Sequence, residues 1–233
     1  MSFELVGSSA KCKLAADEDV MEKKIPLVIA TRNPGKTAEI RDLLAGFPVE
    51  INNLDGFGPL PVVEEDGKTF DDNAYKKASF TAKILGIPAL ADDSGLVVEA
   101  LDGAPGVLSA RYAGENATDE QRCAKLLKEM VDKANRRAAF ECVISIAVPS
   151  GPALTYEGRC EGLIAKRPVG QSGFGYDPIF FYPPLKKTFA QLTREEKSRV
   201  SHRGRALNEM KQEFDKVLIW IRRHMPLEEK LLY

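Results

Sequence analysis

The period of the apolar positions changes several times along the chain. Leu27-Val28-Ile29-Ala30 is a short continuous apolar run, the pattern of a buried strand. Ile40, Leu43, Leu44 and Phe47 follow at helical spacing, so a helix is predicted from near Lys36. Strand, glycine loop and helix make an α/β opening. Residues 49–54 read as a second strand, and residues 56–61 as a turn-rich connection. From Thr69, the positions Phe70, Ala74, Ala78, Ala82 and Leu85 form one helical stripe, with Gly86 as its stop. Residues 88–91 predict a strand that runs out into Asp92-Asp93-Ser94-Gly95, with residues 96–101 as its hairpin partner. Gly103-Ala104-Pro105-Gly106 then breaks the chain.

Thr118-Asp119-Glu120-Gln121 is a capping box, with a helix behind it carrying Leu126, Leu127, Met130 and Val131. Residues 138–148 and 154–165 flank Pro149-Ser150-Gly151-Pro152 and predict a long hairpin. A glycine-rich stretch over 170–178 leads into a short strand over 179–182. Thr193-Arg194-Glu195-Glu196 is a second capping box. The last helix is predicted as one periodic element through Val200, Leu207, Met210, Phe214, Val217, Leu218 and Ile221. Residues 1–24 are polar without periodicity and read as a flexible extension, which leaves 25–233 as a single α/β domain. That extension has no apolar core of the secretory-signal kind, and no run approaches the roughly 18 apolar residues of a membrane span.

Composition narrows the function classes. The chain has 233 residues, 44% apolar and 29% charged, which is ordinary for a globular domain. Thirty-three Lys and Arg face 34 Asp and Glu, for a net charge of -1. That balance argues against a nucleic-acid polymer or a membrane surface as the partner of a generally basic protein. The balance is also a cancellation: residues 64–102 carry nine acids and four basic residues, and residues 186–211 carry eight basic residues and three acids. The two histidines, His202 and His224, exclude a His-rich metal site. Four cysteines without a C-x-x-C pair read as reduced thiols of a cytoplasmic protein.

Four segments carry candidate chemistry. Asn33-Pro34-Gly35-Lys36-Thr37 lies between a strand and a helix, where backbone N–H groups, the helix dipole and a lysine suit phosphate. It misses the P-loop pattern, because Ala30 stands where the first glycine belongs. A polar strand-to-helix turn is the plainer alternative. The acids Glu64-Glu65-Asp66, Asp71-Asp72 and Asp92-Asp93 form the second set; with histidine scarce, a metal there is hard and oxygen-bound, which points to Mg²⁺. Neighbouring side chains diverge, so only one of Asp92 and Asp93 is expected to face a site. In Gly173-Phe174-Gly175-Tyr176-Asp177-Pro178 an aromatic between glycines suits stacking on a flat ligand, and Asp177 suits a ring N–H; a tight turn explains the same residues. Last, Lys197 and Ser201-His202-Arg203 gather donors at a helix junction, as a solvated face also would.

These segments, in this order, resemble the inosine triphosphate pyrophosphatase family. Thr69-Phe70 with Asn73-Ala74, the run Ala91 through Leu96, Gly103 through Gly106 and Ser109-Ala110-Arg111-Tyr112 extend the resemblance over about residues 27–211. It implies hydrolysis of ITP, dITP and XTP to the monophosphate and pyrophosphate, with Mg²⁺ as cofactor. It also implies an elongated two-lobed α/β fold with a mixed sheet, the active cleft between the lobes, and a homodimer. By this resemblance Thr31, Arg32, Asn33, Pro34, Gly35 and Lys36 hold the triphosphate, with Arg32 at a variable position. Glu64 and Asp93 hold the metal, with Glu65 as the substitute for Glu64. Asp93 is also the proton acceptor, and Ser94 touches substrate. Phe174 stacks on the purine in the loop with Gly175 and Tyr176, and Asp177 reads its ring nitrogens. Lys197, His202 and Arg203 close over the base and its 6-oxo group. Two rival readings remain: a P-loop NTPase cleaving the γ-phosphate, and a nucleotide-sensing module without turnover.

Overall fold

The computed structural model describes residues 24–225, so residues 1–23 of the expected extension, with Cys12, and the last eight residues lie outside the described residues. One mixed sheet organises the rest. Its strands are β1 (Ile25–Ile29), β2 (Val49–Asn53), β3 (Ala89–Val98), β4 (Arg137–Ala147), β5 (Ala153–Ile164), β6 (Phe180–Tyr182) and β7 (Lys187–Thr188). Their order is β2-β1-β3-β4-β5-β6-β7. β1 runs parallel to β2 and β3, and every other neighbouring pair is antiparallel. The helices are α1 (Pro34–Leu43), α2 (Phe70–Leu85), α3 (Asp119–Glu129), α4 (Arg194–Val200), α5 (His202–Gln212) and α6 (Phe214–His224).

Helix boundaries follow local chemistry. Asn33 caps α1, and Pro34 takes the first helical position, where a missing N–H costs nothing. Thr69, Thr118 and Thr193 each close a capping box at the start of α2, α3 and α4. Gly86 ends α2 in the left-handed region at φ 68°, which a side chain would resist.

Burial divides the sheet by face and by length. Leu27, Ile29 and Leu90 pack under α1, α5 and α6 with Ile40, Leu207, Met210 and Phe214. On the opposite face Val28, Ala89 and Ala91 meet Ala78 and Ala82 of α2, small residues that let the helix lie close. Farther along β3–β5, a second core forms from Leu96, Val98, Leu126, Phe140, Ile179, Phe180 and Phe189. Two lobes therefore share the same long strands.

Two expectations change. Asp92-Asp93-Ser94-Gly95 is not a turn and residues 96–101 are not a hairpin partner: β3 continues unbroken through Val98. Alternation sends Asp92 to the α1/α5 face and Asp93 to the α2 face, and each meets cations there, so a strand interior tolerates both charges. The predicted last helix is three helices. Ser201 adopts extended backbone at φ -69° and ψ 159°, ending α4, and its side chain caps α5 by accepting from Gly204 N. The chain breaks again at Glu213.

The α5 contact with β5 is close enough to test. A Cβ on Gly158 would overlap the His202 carbonyl oxygen and sit 2.7 Å from Ala206 N. Gly158→Ala should therefore cost about 1–3 kcal/mol in denaturant unfolding. Gly56→Ala, with nothing within 4 Å of its added Cβ, should stay within about 0.5 kcal/mol of the parent. Equal stability of the two variants would contradict the packing of α5 on the sheet.

Candidate active site

The loop after β1 is built around one side chain. Asn33 Oδ1 accepts from Gly35 N at 2.9 Å and Lys36 N at 3.2 Å, and Asn33 N donates to Thr31 Oγ1 at 3.2 Å. The loop amides are thus spent on the cap rather than left to cradle phosphate, so the geometry lends the P-loop reading no support. What the loop presents is charge: Lys36 Nζ lies 2.8 Å from Asp92 Oδ2 and lines both cavities described below.

Asp92 and Asp93 occupy opposite environments. Asp92 Oδ2 accepts from Lys36 and, at 3.3 Å, from Arg203 Nε, while Oδ1 is buried without a partner. Burial opposes its charge, yet Lys36, Arg203 and Lys77 outweigh it and hold the carboxyl well below the usual carboxylate range. Asp93 Oδ1 accepts from Lys77 Nζ at 3.0 Å, and its Oδ2 from Asn73 Nδ2 at 3.2 Å. Here burial wins over Lys77, and the carboxyl is raised. Burial also opposes the Lys77 ammonium, but Asp93, Asp92 and Glu65 together hold its pKa above the ordinary value.

The glycine-rich segment presents an aromatic face. Asp177, buried, accepts through Oδ2 from Phe174 N at 2.9 Å and from Lys197. Gly173 sits at φ 82°, where a Cβ would overlap that same carboxylate. Lys197 Nζ stands 4.5 Å from the Phe174 ring centroid. Burial raises Asp177 despite Lys197. Asp119 accepts from Gly175 N at 2.6 Å, and Tyr176 donates to Ser109 O at 2.9 Å, so both ends of the segment are tied to the second lobe.

The first turn of α5 closes the floor. His202 stacks on Phe140 at 4.7 Å and 13°, with Nδ1 buried and unpartnered. Burial, then Arg203 and Lys197, hold its ring well below the ordinary histidine value. Arg203 donates to Asp92, to Glu39 Oε2 at 2.8 Å and to Ser94 Oγ at 3.1 Å. Three of its five N–H groups are therefore committed to the protein.

Two cavities meet at Asn33, Lys36, Ser94 and Ala110. The first, about 210 Å³, takes in Phe174, Gly175, Tyr176, Asp177, Lys197, His202 and Arg203. The second, about 350 Å³, takes in Thr31, Arg32, Glu65, Lys77 and Asp93. Pro34 lines neither, and Gly35 lies behind Phe174 in a separate pocket. Glu64, expected to hold metal, is exposed and outside both cavities. Glu65 takes the inward position, because Arg111 Nη2 holds its carbonyl at 2.9 Å and Lys77 lies 3.2 Å from its carboxylate. Glu65 and Asp93 converge on one ammonium, so they lie within one cation's reach. Among the described residues no three His, Cys, Asp or Glu cluster as a metal site. Two carboxylates with phosphate oxygens and water still suit a hard divalent ion.

Several wall residues escape the sequence patterns. Asn73 and Lys77 are four apart, on the face of α2 that meets β3, a spacing that could have flagged them. Asp119 and Arg122 look like ordinary first-turn helix residues, yet both line the first cavity.

Comparisons with known proteins agree with one another. The model of the Ham1 family matches residues 27–213, a span that holds every candidate residue above. A dITP/XTP pyrophosphatase of Desulfotalea psychrophila is 58% identical over 204 residues, covering 88% of this chain and 91% of its own. One of Syntrophobacter fumaroxidans is 60% identical over 195 residues, 84% of each. The solved structure of a HAM1 protein from Coxiella burnetii superposes with a TM-score of 0.79 at 43% identity, over 82% of this chain and 99% of that one.

The buried histidine gives a pH dependence. The unfolded chain protonates His202 near pH 6.5, but the native ring stays neutral well below that. Below about pH 6.5 the unfolded state binds more protons, so stability falls as the pH is lowered, by up to about 1.4 kcal/mol per unit. Denaturant titrations at pH 7.5 and 5.5 should show a gap that shrinks by about 1 kcal/mol in His202→Gln. The subtraction removes the opposite contributions of Asp93 and Asp177. An unchanged gap would mean that His202 takes up its proton in the folded protein as readily as in the unfolded one.

Proposed function

The chain belongs to the Ham1 family, and on that premise we propose that it hydrolyses the non-standard purine nucleoside triphosphates ITP, dITP and XTP to the monophosphate and pyrophosphate. The observation that carries the proposal is the pair of joined cavities. One offers an aromatic face ringed by donors and a buried carboxylate, and the other offers acids and cations. A nucleotide laid across Asn33, Lys36 and Ser94 places its base in the first and its phosphates in the second.

The base is held by chemistry suited to a 6-oxo purine. Phe174 stacks on the ring, Asp177 accepts from N1–H, and Lys197 with the donors of α5 faces the oxo group. Arg203 acts chiefly as a strut, since Asp92, Glu39 and Ser94 already occupy it. Adenine would set its 6-amino donor against those donors, and each unpaired buried donor costs about 1–3 kcal/mol.

The reaction is attack of water on the α-phosphorus, forming the new P–O bond as the bridge to the β-phosphate breaks. Asp93 takes the water's proton. Lys36 and Lys77 neutralise the charge that develops on the departing pyrophosphate. Mg²⁺ belongs to the proposal as cofactor: held by Glu65 and Asp93, it supplies further neutralisation of the phosphates. A homodimer and a cytoplasmic setting belong to it as well; among the described residues no helix is long and apolar enough to cross a membrane.

A product-resolved hydrolysis screen over ITP, XTP, GTP and ATP, with and without Mg²⁺, tests this reading. Pyrophosphate and monophosphate should appear from ITP and XTP, and chelation should stop them. Asp93→Asn should lower kcat by about 100-fold or more while the fold stays intact by circular dichroism. Orthophosphate with diphosphate would instead mean γ-cleavage, and tight ITP binding without turnover would mean a sensing module.

A further inference from the structure

We propose that Arg122 reads the 2-position of the purine and makes the first cavity favour a 2-oxo over a 2-amino base. The inference rests on the purine-triphosphate reading above. Asp177 divides the cavity wall. Its Oδ2 is taken by Lys197 and by Phe174 N, which leaves Oδ1 for the ring N1–H. The 6-oxo group then lies toward Lys197, and C2 lies on the other side of Asp177. Gly175, tied to Asp119 at 2.6 Å, and Arg122, one turn along α3 from Asp119, line the same cavity, and the proposal sets C2 toward them.

Arg122 is held rigidly. Its Nη1 donates to Ala110 O at 2.8 Å and to Ala117 O at 2.7 Å, and its Nη2 pairs with the Asp119 carboxylate. Its side chain is 18% exposed and lines the first cavity. A guanidinium has five N–H groups and no acceptor, so three are committed and the remainder can only donate. A xanthine 2-oxo group accepts from such an edge. A guanine 2-amino group sets donor against donor. Hypoxanthine carries only C–H at this position and is indifferent. Guanine shares the 6-oxo group with the preferred bases, so nothing at Lys197 or α5 separates it from them.

The test measures kcat/KM for XTP, ITP and GTP with Mg²⁺ in the full chain, wild type, Arg122→Gln and Arg122→Lys. Ratios are taken within one preparation, so a loss of folded protein cancels. In Arg122→Gln the XTP/ITP ratio should fall about tenfold, and the GTP/ITP ratio should rise by a similar factor, because the amide oxygen accepts from the 2-amino group. Arg122→Lys keeps a donor-only group at the wall and should hold both ratios within about threefold of wild type. If Arg122 serves only to brace Ala110 and Ala117, all three substrates fall together in both variants, and the proposal is wrong. If the wild type releases no pyrophosphate from ITP, the broader functional reading fails, and this inference fails with it. If the wild type is active but the ratios do not move, this inference alone fails.

Discussion

A charged carboxylate inside the sheet sets the terms for the rest of the molecule. Asp92 is buried in the middle of β3, and an isolated charge there would cost several kcal/mol. It stays ionised because Lys36 from α1 and Arg203 from α5 both reach the same oxygen. Glu39 on α1 accepts from Arg203 as well, so the two helices are bound to each other as well as to the strand. Removing Asp92 would leave Lys36 without its carboxylate and Arg203 with Glu39 alone, which is far costlier than losing a surface pair. The arrangement has a functional consequence. Lys36 lines both cavities and Arg203 lines the first, so one carboxylate fixes the distance between them.

The sheet also serves as a partition. Asp93 differs from Asp92 by one residue, yet it faces α2 and has Lys77 and Asn73 for company. Lys77, its ion-pair partner, and Lys36 together do not offset its burial, and its carboxyl is raised while that of Asp92 is lowered. Two neighbouring acids are thereby shifted in opposite directions, Asp92 toward a permanent charge and Asp93 toward its neutral form. Strand alternation alone accomplishes this, because the two faces carry different numbers of cations.

Features with a local cause were legible in the sequence. Thr118 and Thr193 cap helices through residues three positions on, and Gly86 stops α2 through its own backbone. The hairpin of β4 and β5 follows from two apolar runs around a proline-glycine turn. Features with a distant cause were not. Asp92-Asp93-Ser94-Gly95 has the composition of a turn, and it is a strand because it pairs with β4 while Lys36 and Arg203, 56 and 111 positions from Asp92, and Lys77 on the other face offset its charges. Lys77 reads as one more solvated helix cation until Glu65 and Asp93 are brought to it. The choice between Glu64 and Glu65 likewise depends on Arg111 gripping the Glu65 carbonyl 46 residues away. Ser201 illustrates the intermediate case: the apolar period runs straight through it, and its capping role emerges from Gly204 packed against Ser198.

The near-zero net charge follows from the same economy of pairing. An acidic stretch over 64–102 and a basic stretch over 186–211 cancel in the sum, but they meet in only part of the structure. Arg203 to Asp92 joins the two stretches directly, whereas Lys77 and Asp93 neutralise each other within the acidic one. An incoming triphosphate, with about four negative charges, has to compete with these carboxylates for Lys36 and Lys77. Asp92 can release Lys36 to phosphate because Arg203 remains beside it. Among the described residues Glu65 and Asp93 form ion pairs with Lys77 alone, so releasing Lys77 leaves two acids facing each other across a polyanion. Only added positive charge stabilises that arrangement, and oxygen donors on both sides suit a hard divalent ion. On the proposed reading, the pairing pattern on the two faces of β3 therefore assigns Mg²⁺ to the Asp93 face and not to the Asp92 face.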